Sequence, residues 1–247
     1  MAAESRLRLV SIYPMLLGTY GDGGNLQVLA MRARARGLQV EAIELDAGEP
    51  VPDGGDLYLL GGGEDDAQVA AARALRADGG LARAVTRGAA VFSVCAGYQV
   101  LGTVFPGSDG VPEPGLELLD VSTDRLPKRA VGELLAVPIA EGLRQPLTGY
   151  ENHAGATHLG PEAAALAHVE VGVGNGTSAS TSGGVFSEGA FSGHVLGTYL
   201  HGPGLARNPE LADLLLSWVT GGPLDPWVNG DIEALRAERL AAVRRRA

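Results

Sequence analysis

Apolar positions change their period along the chain, and the changes mark its elements. Leu7 to Tyr13 is rich in Leu, Val and Ile and reads as a strand. Asn25 to Arg36 places Leu26, Leu29, Ala30 and Ala33 at helical spacing and stops at Gly37. Val40 to Leu45 and Leu57 to Leu60 read as further strands, and Ala67 to Ala77 and Leu81 to Arg87 as helices. Val91 to Val94 is the strand that leads into Cys95. This β–α–β order predicts an α/β fold whose mainly parallel sheet is covered by helices on both faces.

The pattern then changes. Gly107 to Gly115 is dense in Gly and Pro, and Leu116 to Ala167 holds short strand-like runs. From Val169 to Gly193, glycine and serine surround Val171, Val173, Val185 and Phe186, which predicts strands joined by tight turns, Asn175-Gly176 among them. A helix is expected over Pro209 to Val219, with Asn208 as its N-cap and Pro209 at its first position. Gly221-Gly222-Pro223 breaks the chain, and Asp231 is expected to cap a last amphipathic helix ending at Arg246. No linker or repeat is visible, so residues 1–247 read as one domain, with antiparallel additions to a parallel heart.

Charge and cysteine usage narrow the classes of function. Lys+Arg 19 against Asp+Glu 29 gives a formal net charge of −10, which argues against nucleic acid as a partner. The dense basic cluster Arg244-Arg245-Arg246 suits the C-terminal end of a helix. No run is long and apolar enough to span a membrane, and Met1 to Arg8 lacks the apolar stretch of a signal peptide. A single cysteine excludes an internal disulfide and fits a reducing compartment, so a cytoplasmic location is expected.

That cysteine is the leading chemical candidate. A lone cysteine is usually a small buried hydrophobe. Here, however, Cys95 ends an apolar run and is followed by Ala96-Gly97 and a segment able to form a helix. Strand, sharp turn and helix together make a nucleophile elbow, in which helix N–H groups favour the thiolate. His201, in Thr198-Tyr199-Leu200-His201-Gly202-Pro203, also follows a strand-like run, so both side chains could meet at one sheet edge. A neutral imidazole there could take the thiol proton and return it to a leaving amine. Gly61-Gly62-Gly63 follows the strand Leu57 to Leu60, and its N–H groups could form half of an oxyanion hole, with the N–H of Ala96 as the other half. His153, His158, His168 and His194 are weaker candidates, and no metal site is expected because none has ligand spacing. A phosphate loop is absent, so any ATP used in the reaction is expected on another chain.

In this order, the strand–Gly-Gly-Gly, the Cys95-Ala96-Gly97-Tyr98-Gln99 elbow and Tyr199-Leu200-His201-Gly202 resemble class I glutamine amidotransferases, in particular the cobyric-acid-synthase-like branch. Tyr13 to Asn25, which includes Tyr20-Gly21-Asp22-Gly23-Gly24-Asn25, and Gly149-Tyr150-Glu151-Asn152-His153 look like the glutaminase subunits of lipid II isoglutaminyl synthases. The resemblance runs from about residue 7 to 222, leaving 223–247 as a C-terminal helical extension. It implies a flavodoxin-like fold and hydrolysis of L-glutamine to glutamate and ammonia. The ammonia would pass to a Mur-ligase-like synthetase subunit that carries ATP and Mg²⁺ and amidates the D-glutamate α-carboxyl of the lipid II stem peptide. It also implies Cys95 as nucleophile, His201 as acid/base, Gly62 or Gly63 with Ala96 at the oxyanion, and Gln99 beside the glutamine. Arg129 would hold the substrate's α-carboxylate, with the adjacent Lys128 leaving the register open by one residue. Most class I members place a Glu two residues after the histidine; here that residue is Pro203, so a carboxylate from elsewhere, such as the partner chain, is expected to orient His201. The rival readings are an amidotransferase for another carboxylate, such as a corrinoid; a non-catalytic interaction subunit; and, more weakly, a cysteine peptidase.

Overall fold

A computed structural model of the chain describes residues 6–177 and 185–245. Helix α1 (Gly24–Arg34) lies between strands β1 (Leu7–Ile12) and β2 (Val40–Leu45), β3 (Leu57–Leu60) follows β2 directly, and helices α2 (Asp65–Asp78) and α3 (Gly80–Thr86) lead to β4 (Ala90–Val94). The elbow helix α4 (Ala96–Leu101) follows. Next come β5 (Val104–Pro106), β6 (Pro112–Pro114), β7 (Val121–Pro138), β8 (Leu147–Leu159), β9 (Ala164–Val171), β10 (Ser187–Ser192) and β11 (Val195–Thr198). Helices α5 (Gly204–Arg207), α6 (Pro209–Thr220) and α7 (Gly230–Arg244) complete the chain.

All strands belong to one 11-stranded sheet in the order β2-β1-β3-β4-β11-β10-β9-β7-β5-β6, with β8 on β7. The half from β2 to β11 is parallel. Beyond β11 the pairing is antiparallel through β10, β9, β7 and β8. Strands β3, β4 and β11 are buried along their whole length, and their sequences are accordingly uncharged and mostly apolar. Helices α1, α5 and α6 pack together, and α2 packs with α3 and α4. Arg32 of α1 is buried and grips Asp213 of α6 through Nε and Nη2, at 2.7 and 2.6 Å. Its guanidinium also lies 4.9 Å from the Trp227 ring, tying the C-terminal segment to the core. Among the described residues, no helix is long and apolar enough to cross a membrane.

Several local expectations are corrected. The stretch expected as short runs contains two long paired strands, β7 of 18 residues and β8 of 13. A register shift between Arg125 and Ala130 accommodates Pro127 and the flanking charges that broke the alternation. A tight turn does form here, with Gly176 N–H donating to Val173 O at 3.0 Å, but it is not a two-residue hairpin: Asn175 is fully buried, accepts from the Tyr98 hydroxyl and donates to Gly189 O. Part of the expected Val169 to Gly193 strands, residues 178–184, lies outside the described residues, as does Arg246. Asn208 makes no side-chain cap; its Oδ1 accepts from Thr148 N–H and its Nδ2 donates to Thr148 O, 60 residues away. Asp231 sits in the first turn of α7, and Asn229 is the residue whose side chain caps it.

Candidate active site

The strand order places β1 beside β3, and the loops after β1, β3, β4 and β11 all leave from the carboxyl edge of the parallel half. Such an edge is where open α/β sheets bind ligands. Cys95 stands directly after β4 with φ 53° and ψ −107°, a conformation rarely adopted by residues other than glycine. It is held there by its neighbours: Cys95 N–H donates to Thr198 O at 2.9 Å and Gly97 N–H to Gly61 O at 3.1 Å. Gly97 is required by contact, since a Cβ on it would lie 2.7 Å from Leu60 Cβ.

His201 is completely buried, and its backbone pairs with Tyr150 of β8. Its Nδ1–H donates to Asp22 Oδ2 at 2.9 Å. Nε2 is buried with no hydrogen-bond partner among the described residues. Burial opposes a charge on this imidazole. The Asp22 hydrogen bond and the adjacent Cys95 outweigh it, and the pKa rises from 6.5 to about 10. The arrangement therefore favours imidazolium beside the cysteine.

Asp22 supplies the orienting carboxylate from within this chain, so no partner residue is needed for that role. It comes from the loop after β1, in the Tyr20 to Asn25 segment, and the sequence reading gave it no function. The loop is stitched to the segment after β11. Asn25 Oδ1 accepts from Leu205 N–H at 2.9 Å, and a Cβ on Gly24 would lie 2.4 Å from Pro203 Cγ. Pro203, where a wider-superfamily Glu would stand, is thus part of the support for Asp22.

The glycines of Gly61-Gly62-Gly63 are required by close approach of this same loop. A Cβ on Gly61 would lie 2.2 Å from Leu17 O, and one on Gly62 2.6 Å from His201 Cε1. Gly62 N–H donates to Asp22 Oδ2 at 2.8 Å, so it is committed to holding the carboxylate. Gly63, with no described partner for its N–H, lines the cleft with Cys95 and Ala96.

The cleft also brings in Gln99, Arg125, Arg129, Asn152 and His153. Gln99 is buried, donates to the Tyr199 hydroxyl at 3.2 Å and accepts from Gln68 Nε2 at 3.0 Å. Arg129 lines the cleft, and Lys128 is not among its lining residues. Arg129 Nε donates to Asn152 Oδ1 at 2.6 Å, and Asn152 Nδ2 donates to the Tyr20 hydroxyl at 2.6 Å. Tyr20 in turn presents an edge to the His201 ring, 5.1 Å between centroids. Arg125 lining the cleft was not anticipated, and His153 was expected only as a weaker candidate. Arg125 is presented by the register shift in β7, and His153 stacks on Tyr199 at 3.7 Å. Glu64 and Asp65 line the cleft as well, at the start of α2. Arginines and carboxylates thus share the cleft, a charge pattern complementary to an amino-acid zwitterion. His158 pairs with Asp124 and His194 stacks on Trp218, so neither belongs to the site. Among the described residues no cluster of His, Cys, Asp and Glu could hold a metal ion.

A cysteine on a strand–turn–helix elbow, faced by a histidine–aspartate pair at the edge of a parallel sheet, defines a cysteine-nucleophile acyl-transfer site, a class that includes the glutamine amidotransferases. Residues 8–209 match the CobB/CobQ-like glutamine amidotransferase domain, and the chain belongs to that family. It is 34% identical over 202 residues to the GatD subunit of the glutamine-hydrolysing lipid II isoglutaminyl synthase of Staphylococcus aureus strain N315, covering 81% of this chain and 79% of that protein. It is 31% identical over 186 residues to the cobyric acid synthase of Sphingopyxis alaskensis, covering 72% of this chain but 34% of that longer protein. A solved glutamine amidotransferase superposes with a TM-score of 0.58 at 19% identity, covering 85% of this chain and 98% of that one, and so shares its fold.

Proposed function

We propose that this chain is the glutamine-hydrolysing subunit of an enzyme that amidates lipid II. The observation that carries the chemistry is the contiguous set Cys95, His201 and Asp22. The 34% identity to a GatD subunit, over most of both chains, supports the acceptor. The Cys95 thiolate attacks the side-chain carboxamide carbon of L-glutamine. The N–H groups of Gly63 and Ala96 receive the oxyanion, each worth about 3–4 kcal/mol in a water-excluded site. The amide nitrogen takes the proton from His201 Nε2 and leaves as ammonia, and Asp22 stabilises the imidazolium and fixes its tautomer. Water, activated by the now neutral imidazole, hydrolyses the γ-glutamyl thioester and releases glutamate. Arg129 holds the α-carboxylate, while Glu64 and Asp65 face the α-ammonium.

The ammonia is delivered to a Mur-ligase-like, MurT-like synthetase subunit, on which ATP and Mg²⁺ bind. That subunit converts the D-glutamate α-carboxyl of the lipid II stem peptide to D-isoglutamine. The pair works in the cytoplasm on a lipid-linked acceptor. Cys95→Ala should abolish glutamate release from glutamine while the circular dichroism spectrum and melting temperature stay near the parent's. Undiminished release from the folded variant would overturn the assignment. Failure of a Mur-ligase-like chain to co-purify from the native cell would overturn the partner.

A further inference from the structure

The family match ends at residue 209, yet α7, beyond it, closes a cavity of about 380 Å³ against the family core. Ile232, Leu235, Arg236 and Arg239 face the cavity from α7, at the i, i+3, i+4, i+7 spacing of a single helix face. Thr148 and Arg207 face them, and the turn at Gly202-Pro203, directly after His201, closes one side. Val243, one turn further along α7, is buried and anchors the helix.

The arginines are short of counter-charge. Arg207 Nη2 pairs with Glu133 at 2.6 Å, but its Nε is buried with no partner among the described residues. Arg236 is buried and spends its donors on Arg207 O, Pro146 O and Asn208 Oδ1. Burial lowers its pKa; Glu233 and Glu210 oppose that, and Arg207 adds to it. Among the described residues neither Arg236 nor Arg239 makes an ion pair, so Glu133 is the carboxylate paired with this group. A concentration of positive charge stands out in a chain of net charge −10. Buried or converging guanidinium groups call for an oxyanion, and Arg offers it a planar, bidentate fork.

We propose that the cavity between α7 and the segment after His201 binds a small anion, a phosphate or carboxylate carried on an apolar body. The oxyanion sits between Arg207 and Arg239, within reach of the Thr148 hydroxyl, and the apolar part lies on Ile232 and Leu235. The site is separate from the glutamine cleft, with which it shares no lining residue.

Phenyl phosphate and benzoate are the probes, titrated separately at fixed ionic strength into the full chain and followed by calorimetry and by NMR shifts of α7. Arg239→Gln removes an exposed charge without disturbing the fold, and Arg73→Gln, on α2, controls for loss of a charge elsewhere. At least one probe should bind saturably in the millimolar range or tighter, about tenfold more weakly to Arg239→Gln and unchanged to Arg73→Gln. Saturation by phenyl phosphate alone identifies a phosphate ligand, and by benzoate alone a carboxylate. Absence of saturable binding by both probes overturns the proposal, as does binding that Arg239→Gln leaves within twofold. Glutamate release, measured in parallel, reads the catalytic assignment independently.

Discussion

Replacing Asp22 by Asn tests the least expected member of the site. The side chain keeps its size, so the Gly62 N–H can still find an oxygen, but the charge beside His201 is gone. A rise of the His201 pKa from 6.5 to about 10 corresponds to about 5 kcal/mol in favour of the imidazolium, at about 1.4 kcal/mol per unit. Burial opposes that charge, and the Asp22 hydrogen bond is the largest of the effects that raise the pKa. Without the carboxylate, the buried ring prefers neutrality and can turn its proton the wrong way, leaving Nε2 protonated and unable to act as base. An aspartate-to-asparagine change in the serine protease triad, where the same logic holds, costs about 10⁴ in kcat. We expect kcat for glutamate release to fall about 10²–10⁴-fold, with KM for glutamine changed less than threefold, since Asp22 does not line the substrate cleft. The assay is coupled detection of glutamate across pH 5–10, with melting temperature as the control for folding. The pH profile of kcat should change as well, since the imidazolium loses the carboxylate that stabilises it. A folded Asp22→Asn protein with kcat within threefold of the parent, and an unchanged pH profile, would refute the orienting role.

Other perturbations address the remaining parts. Arg129→Ala should raise KM for glutamine at least about tenfold through loss of a charge-assisted contact, whereas Lys128→Ala should leave KM within twofold; equal effects would refute the assignment to Arg129. Gly62→Ala places a Cβ 2.6 Å from His201 Cε1 and should lower kcat about 10²-fold by displacing the imidazole, with glutamate release as the readout. Stability should fall as pH rises, in two steps. Burial raises the Glu188 pKa from 4.5 to about 7, so its stabilising contribution is complete below pH 4.5 and is lost by about pH 7. His201, raised from 6.5 to about 10, contributes fully below pH 6.5 and loses its contribution as pH passes 10. Melting temperature against pH checks both, and Glu188→Gln should erase the first step alone.

The parallel half of the sheet was legible because strands buried on both faces must be largely apolar, as Leu57 to Leu60 is throughout and Ala90 to Val94 is apart from Ser93. The elbow was legible for a different reason: a reactive cysteine needs a small residue and a glycine behind it, and Gly97 meets Leu60 too closely for any other residue. Helix caps were misjudged because cap and tertiary bonding compete for the same side chains. Asn208 had the right identity and position, but Thr148 claims both ends of its amide. The length of β7 was hidden because Asp124 to Arg129 carries the charges and the proline that serve the cleft rather than the core. Asp22 escaped notice because its partner lies 179 residues away, a pairing that no local pattern encodes. An acidic residue set among glycines was the available hint.

That separation has a consequence for the life of the chain before it is complete. During synthesis Asp22 and Cys95 emerge first, and His201 follows only after most of the polypeptide has left the ribosome. Its strand, β11, is not added at an edge but slots between β4 and β10 in the middle of the sheet. Until it does, Cys95 lacks both its proton carrier and the Thr198 carbonyl that anchors its backbone. A chain in which β11 is not yet in place therefore holds its thiol without the groups that serve it. The last strand to arrive acts as the safety catch.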